Sequence, residues 1–166
     1  MNRLLLTMLL ALAAFPANAA EVGGIFGQGR TSFSLMAGNG YAFDKNYLVI
    51  GASATYYVLD GLGVGLSFEN WSGGDPSITK YAPLVQYVFY RTSPVKPYLG
   101  GFYRHTNVSG QPSINSVGGR AGIYYSSGSN GYVGFGLVYE SYLDCTNARY
   151  SPCSSTYPEI SLTFVF

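Results

Sequence analysis

From residue 30 onward, apolar residues recur at every second position in run after run. Ile160, Leu162, Phe164 and Phe166 alternate with Glu159, Ser161, Thr163 and Val165, and the chain stops on the aromatic. Leu62, Val64, Leu66 and Phe68 alternate with Gly63, Gly65, Ser67 and Glu69 in the same way. Side chains of a strand point to opposite faces in turn, so each run predicts a strand with one apolar face. Eight such strands are predicted, near residues 30–38, 47–58, 62–69, 81–90, 97–106, 117–125, 133–140 and 157–166. The first puts Phe33, Leu35 and Ala37 opposite Arg30, Ser32 and Ser34. The second points Leu48, Ile50, Ala52, Ala54 and Tyr56 one way. The sixth sets Val117, Gly119, Ala121, Ile123 and Tyr125 against Gly118, Arg120, Gly122 and Tyr124. The seventh sets Val133, Phe135, Leu137 and Tyr139 against Gly134, Gly136, Val138 and Glu140. The fourth is aromatic on both faces, so its facing, like that of the fifth, stays open.

Turn chemistry separates the runs. Gly38-Asn39-Gly40 and Asp44-Lys45-Asn46 follow the first strand, and Asp60-Gly61 is a tight hairpin signal between alternating flanks. A polar loop opens at Trp71-Ser72-Gly73-Gly74-Asp75-Pro76, Thr92-Ser93-Pro94 turns the chain, and residues 107–115, 126–131 and 143–156 supply the other connections. Connections after even-numbered strands read as short, and those after odd-numbered strands as longer and polar.

Composition changes what the strands mean. Only 10% of residues are charged, with 16 Tyr, 10 Phe and 22 Gly. A soluble domain carries roughly 25% charge. No apolar run after the first residues is long enough for a spanning helix, which takes about 20 residues. A chain of this kind enters a bilayer as a closed barrel, the one strand architecture that leaves no backbone group unpaired in lipid. A soluble lipocalin-like barrel, apolar inside, would need an outer face with far more Lys, Glu and Asp than this chain holds. Met1-Asn2-Arg3, the apolar stretch from Leu4 to Phe15 and Pro16-Ala17-Asn18-Ala19-Ala20 read as a secretory signal peptide cut after Ala19 or Ala20. Residues 1–19 are thus expected to be lost, leaving 20–166 as one barrel domain. Loss of Arg3 leaves eight basic and eight acidic residues. That balance gives nucleic-acid binding no electrostatic support.

The signal peptide, Tyr56-Tyr57-Val58-Leu59-Asp60-Gly61-Leu62-Gly63-Val64-Gly65, Pro97-Tyr98-Leu99-Gly100-Gly101 and the terminal Phe166 resemble the small outer-membrane β-barrels of the opacity-protein, OmpA-like and OmpX-like type. The resemblance implies an eight-stranded, antiparallel, up-and-down transmembrane barrel in a Gram-negative outer membrane. Short turns and both termini would lie in the periplasm and longer loops outside. It also implies an assembly signal in Ile160, Leu162, Phe164 and Phe166, read by the barrel assembly machinery.

Several residues are candidates for chemistry. Arg30, Glu69, Arg120, Glu140 and Glu159 fall on the face away from lipid, and Arg104 is a further candidate. In a barrel this small, side chains fill the interior, so these charges are expected to form a lumen network that plugs the barrel; the alternative is an ion path. Cys145 and Cys153, the only two cysteines, are expected to form a disulfide, because the periplasm is oxidising. Two cysteines without a neighbouring histidine make a poor metal site. His105, the one histidine, sits at the end of the fifth strand and is the candidate for lipid A-modifying chemistry. Ser109, Ser113 and Asp144 lie in neighbouring loops, yet no nucleophile motif ties them to it. Gly24-Ile25-Phe26-Gly27-Gln28-Gly29 is glycine-rich but lacks the following helix and Lys-Ser/Thr of a phosphate loop. No catalytic residue, metal or cofactor is expected. The expected work is structural or adhesin-like, with loops presented to lipopolysaccharide, host or environment. A narrow channel and a lipid A-modifying acyl enzyme are the alternatives.

Overall fold

The structure, a computed structural model, describes residues 24–42, 45–92, 94–127, 131–143, 145 and 153–166. The expected signal peptide, residues 1–19, and Asp144 lie outside the described residues. Eight antiparallel strands follow in chain order: β1 (Thr31–Ala42), β2 (Lys45–Leu59), β3 (Leu62–Ser72), β4 (Ile78–Val88), β5 (Val95–Val108), β6 (Ile114–Ser126), β7 (Gly131–Tyr142) and β8 (Ser154–Val165). Each pairs with the next, and β8 returns to β1, so the sheet closes into a barrel.

The alternation sets the two surfaces of the wall. Phe33, Leu35, Leu48, Ile50, Val64, Leu66, Phe135, Leu137, Ile160 and Leu162 are all exposed, Leu66 to 67%. Ser32, Ser34, Ser53, Thr55, Ser67, Ser161 and Thr163 are buried inside. The barrel is therefore apolar outside, and its buried small polar side chains all lie inside. An apolar surface that surrounds the molecule is untenable in water but fits a bilayer, and closure removes the strand edges that lipid would leave unsatisfied.

The two strands whose facing was open now have one. In β4, Lys80, Ala82, Leu84, Gln86 and Val88 point inward, with Tyr81, Val85 and Tyr87 outward. In β5, Tyr98, Phe102, Arg104 and Thr106 are inside. Several strands run past their predicted ends. Gly38-Asn39-Gly40, read as a turn, belongs to β1 and pairs with Val49, Leu48 and Tyr47. Trp71, read as the start of a loop, is the last inward residue of β3 and 1% exposed. The two corrections share a cause. A Cβ on Gly40 would sit 2.2 Å from the Trp71 ring, so the bare backbone of Gly40 is what lets the indole lie across β1. The longer strands shorten the loops. Connections after odd strands span residues 43–44, 73–77, 109–113 and 143–153, and those after even strands 60–61, 89–94 and 127–130. The expected long-short rhythm thus rests mainly on the last loop.

One end of the barrel is closed by residues ahead of β1. Gly24–Phe26 forms a 3-10 turn that drives Phe26 into the lumen, where it is fully buried. Its ring centroid lies 5.6 Å from that of Tyr57, 5.8 Å from Tyr124 and 5.1 Å from Tyr132. The Gly61 amide donates to the Phe26 carbonyl at 2.8 Å, and the Gly29 amide to that of Tyr57 at 2.9 Å. These bonds tie the segment to the β2–β3 hairpin, where Gly61 has a φ of +78°.

Candidate functional site in the barrel lumen

The inward positions of β3, β4, β5, β6, β7 and β8 bring six charges together. Glu69 on β3, Lys80 on β4, Arg104 on β5, Arg120 on β6, Glu140 on β7 and Glu159 on β8 are all buried. Three are cations and three are carboxylates, so the cluster is neutral. Its hub is Arg104, 1% exposed, which reaches across the lumen in two directions. Nη2 donates to Glu69 Oε1 at 2.5 Å, and Nη1 to Glu140 Oε2 at 2.8 Å and to the Tyr157 hydroxyl. Glu140 accepts further bonds from Lys80 Nζ at 3.2 Å and from the Ser116 hydroxyl at 2.5 Å. Arg120 and Glu159 form a separate pair at 2.6 Å, with Met36 Sδ as a weaker acceptor for the same guanidinium nitrogen. Such pairs offset the desolvation of their charges only where each member is bonded, and breaking one leaves the other stranded.

Aromatic rings cover the cluster. Lys80 Nζ lies 3.9 Å from the centroid of the Trp71 ring, and the Arg104 guanidinium 4.3 Å from that of Phe102. Trp71 Nε1 donates to Glu69 Oε2 at 3.2 Å, and its ring meets Tyr157 edge-on. With Tyr47, Ile78 and Val108, these residues build one apolar cluster. A second cluster, centred on Phe26, Tyr57, Tyr98, Tyr124 and Tyr132, fills the opposite end. Between the charges and that end, Ser34 bonds Thr163 at 2.8 Å and Gln86 donates to the Tyr57 hydroxyl at 3.2 Å. Arg104 Nε, Arg120 Nε and Thr106 Oγ1 are buried without a hydrogen-bond partner among the described residues.

Five of the six expected lumen charges meet in this way. Arg30 does not: it precedes β1, is half-buried, and takes no part in these pairs. Lys80 fills the third cationic position instead. The alternation predicts the fourth strand from near Tyr81, three residues after β4 begins, and so leaves Lys80 out, yet a signal was available. Glu69 and Lys80 stand directly opposite each other across the β3–β4 hairpin, so an inward Glu69 implies an inward Lys80. Phe26 left no periodic signal at all.

The remaining candidates lie elsewhere. Cys145 and Cys153 are disulfide-bonded, with Cα atoms 5.6 Å apart. The Tyr142 amide donates to the Cys153 carbonyl at 3.0 Å, which anchors the bridge to the end of β7. His105 is on the outer face of β5, where Nδ1 bonds Asn115 Oδ1 at 2.8 Å. Ser109 and Ser113 are exposed in the loop 109–113, and the hydroxyl of Ser116 is held inside by Glu140. Ile160, Leu162, Phe164 and Phe166 form the outer face of the closing strand, and Phe166 exchanges both backbone bonds with Thr31.

No family model matches the chain, and no curated protein does. Solved structures do. The N-terminal β-barrel domain of Pseudomonas aeruginosa OprF is 16% identical with a TM-score of 0.65, over 84% of this chain and 99% of that one. Neisserial surface protein A is 17% identical with a TM-score of 0.58, over 82% and 96%. Ail, the attachment invasion locus protein of Yersinia pestis, is 21% identical with a TM-score of 0.52, over 84% and 99%. The chain thus has the closed eight-stranded fold of the small outer-membrane β-barrels that its sequence resembles.

Proposed function

We propose that this protein is an integral outer-membrane barrel with a lumen closed by its own side chains, working through its outer surface and loops. The observation that carries the reading is the neutral charge cluster walled by aromatic clusters at both ends, with Trp71, Tyr47, Tyr57, Phe26, Arg104 and Glu140 all fully buried. The apolar exterior and the likeness to outer-membrane barrels support the location. β2 and β5, with 15 and 14 residues, exceed the roughly 9–11 that cross a bilayer, so the wall there continues beyond the membrane and carries the loops with it. The disulfide-tied connection 143–153 is the longest and suits the outer end, which leaves the 60–61 turn and the plug at Phe26 on the periplasmic side. Both termini are then periplasmic. Its partners are outer-leaflet lipids and lipopolysaccharide, the assembly machinery, and a surface ligand met by the loops.

Conductance tests this. In planar lipid bilayers the purified mature protein should give no steady current. Reproducible single-channel steps would overturn the closed lumen and make transport the function.

A further inference from the structure

The barrel wall is incomplete at one seam. Pairing of β1 with β8 runs from Ser32↔Val165 to Ala37↔Ile160 and ends there, although both strands continue. Parity explains the stop. Thr31 and Phe166 exchange both backbone bonds, at 3.1 and 2.8 Å. In an antiparallel ladder every second pair does so, which brings the exchange to Ala37/Ile160 and next to Asn39/Pro158. Pro158 has no N–H to give. Proline alone does not end a ladder in this protein. Around Pro83, pairing of β4 with β5 lapses after Tyr81↔His105 and resumes at Leu84↔Phe102. At Pro158 it does not resume.

A small cavity lies in the wall at this place. Its lining joins outward residues, Ala37 and Pro158, to inward ones, Met36, Val49, Tyr157 and the carboxylates Glu69 and Glu159. The neighbouring strands place Leu48 beside Asn39 and Leu137 beside Pro158, both strongly exposed. One step further along, Tyr41 faces Asn46 and Thr156 faces Tyr139. The seam therefore opens at the edge of the apolar band, where hydrocarbon gives way to headgroups.

We propose that the seam is a binding site for a membrane lipid whose headgroup carries a hydrogen-bond donor, a primary ammonium or a hydroxyl. The reading rests on the membrane location proposed above. On the lipid side Pro158 supplies no donor to the Asn39 carbonyl, while the two carboxylates of the lining, Glu69 and Glu159, are held from the lumen side by Arg104 and Arg120. A backbone carbonyl left unmatched at the margin of the hydrocarbon is unfavourable, and a donating headgroup relieves it. The volume, about 10 Å³, takes nothing broader than a water or a methyl group, so the lipid lies along the seam with its upper chain against Ala37 and Ile160.

Trp71, the one tryptophan of the chain, stands behind the seam against Gly40 and Tyr157. It is a built-in reporter. The mature protein would be placed in vesicles whose lipids carry bromine high on the acyl chain, with either an ethanolamine or a choline headgroup. Ethanolamine donates hydrogen bonds and choline does not. Trp71 fluorescence should be quenched more by the brominated ethanolamine lipid. The difference should be lost in Pro158→Thr, which supplies the missing N–H, and in Ala37→Ile, which fills the groove from the lipid side. Ala121→Ile, on the lipid-facing side of β6, should keep it. Equal quenching by both lipids in wild type overturns the site, as does strong quenching by aqueous iodide, which would make the seam a water path. Vesicle flotation in the same samples reports insertion separately. Protein that floats unquenched refutes the seam alone, and protein that does not float refutes the membrane reading with it.

Discussion

Glu140 offers the sharpest test of how the lumen is held. It is fully buried and serves two cations, Lys80 at 3.2 Å and Arg104 at 2.8 Å. At an effective dielectric of about 20 these attractions amount to about 5 and 6 kcal/mol, and desolvation of three charges offsets most of that. The net loss is set by what Glu140→Ala leaves behind. Arg104 keeps Glu69, but Lys80 keeps no carboxylate partner among these pairs and has only the ring faces of Trp71 and, farther off, Tyr157. Removing one partner of a buried pair should cost about 3–5 kcal/mol. The assay is urea unfolding in lipid vesicles, followed by Trp71 fluorescence and by the gel mobility of the unboiled protein. Glu140→Gln keeps the volume and loses the charge, so it should recover only the packing part of the loss. Adding Lys80→Met to Glu140→Gln should restore stability relative to Glu140→Gln alone, because the stranded cation is gone; that non-additivity is the signature of coupling. A cost below about 1 kcal/mol, typical of solvated pairs, would refute the argument, since it would mean that water already reaches these groups.

Three further outcomes follow from the same geometry. Val64→Arg, on the lipid face of β3, should lower stability by about 2–4 kcal/mol near the bilayer midplane, whereas insertion indifferent to it would contradict the membrane face assigned here. Phe26→Ala should cost about 3–5 kcal/mol by emptying the aromatic plug, and proteolysis should then find the segment ahead of β1 more accessible. Peptide mapping of the unreduced mature protein should recover Cys145 joined to Cys153, and free thiols in membrane-isolated protein would rule out the bridge.

Alternation is a local property, and it was enough to assign both faces of β1, β2, β3, β6, β7 and β8 from the residues alone. A period of two needs no partner strand to be read, and a charge content of 10% left lipid as the surroundings of the apolar face. The inward carboxylates Glu69, Glu140 and Glu159 were visible for the same reason. Partner choice across the lumen was not. Arg104 and Glu140 lie 36 positions apart and meet only because the register of β5 and β7 on either side of β6 brings them to the same level of the lumen. Lys80 displaced Arg30 because register, not composition, put it opposite Glu69. Gly40 and Trp71 read separately as turn and loop residues, and only their contact turns both into wall. Phe26 belongs to a three-residue turn with no period to detect, and its burial depends on four strands supplying the rings around it. Pro158 reads as one more residue on an alternating strand. Whether its missing N–H falls toward β7 or toward β1 depends on the register of the closed sheet, so only the tertiary structure could place the break in the wall.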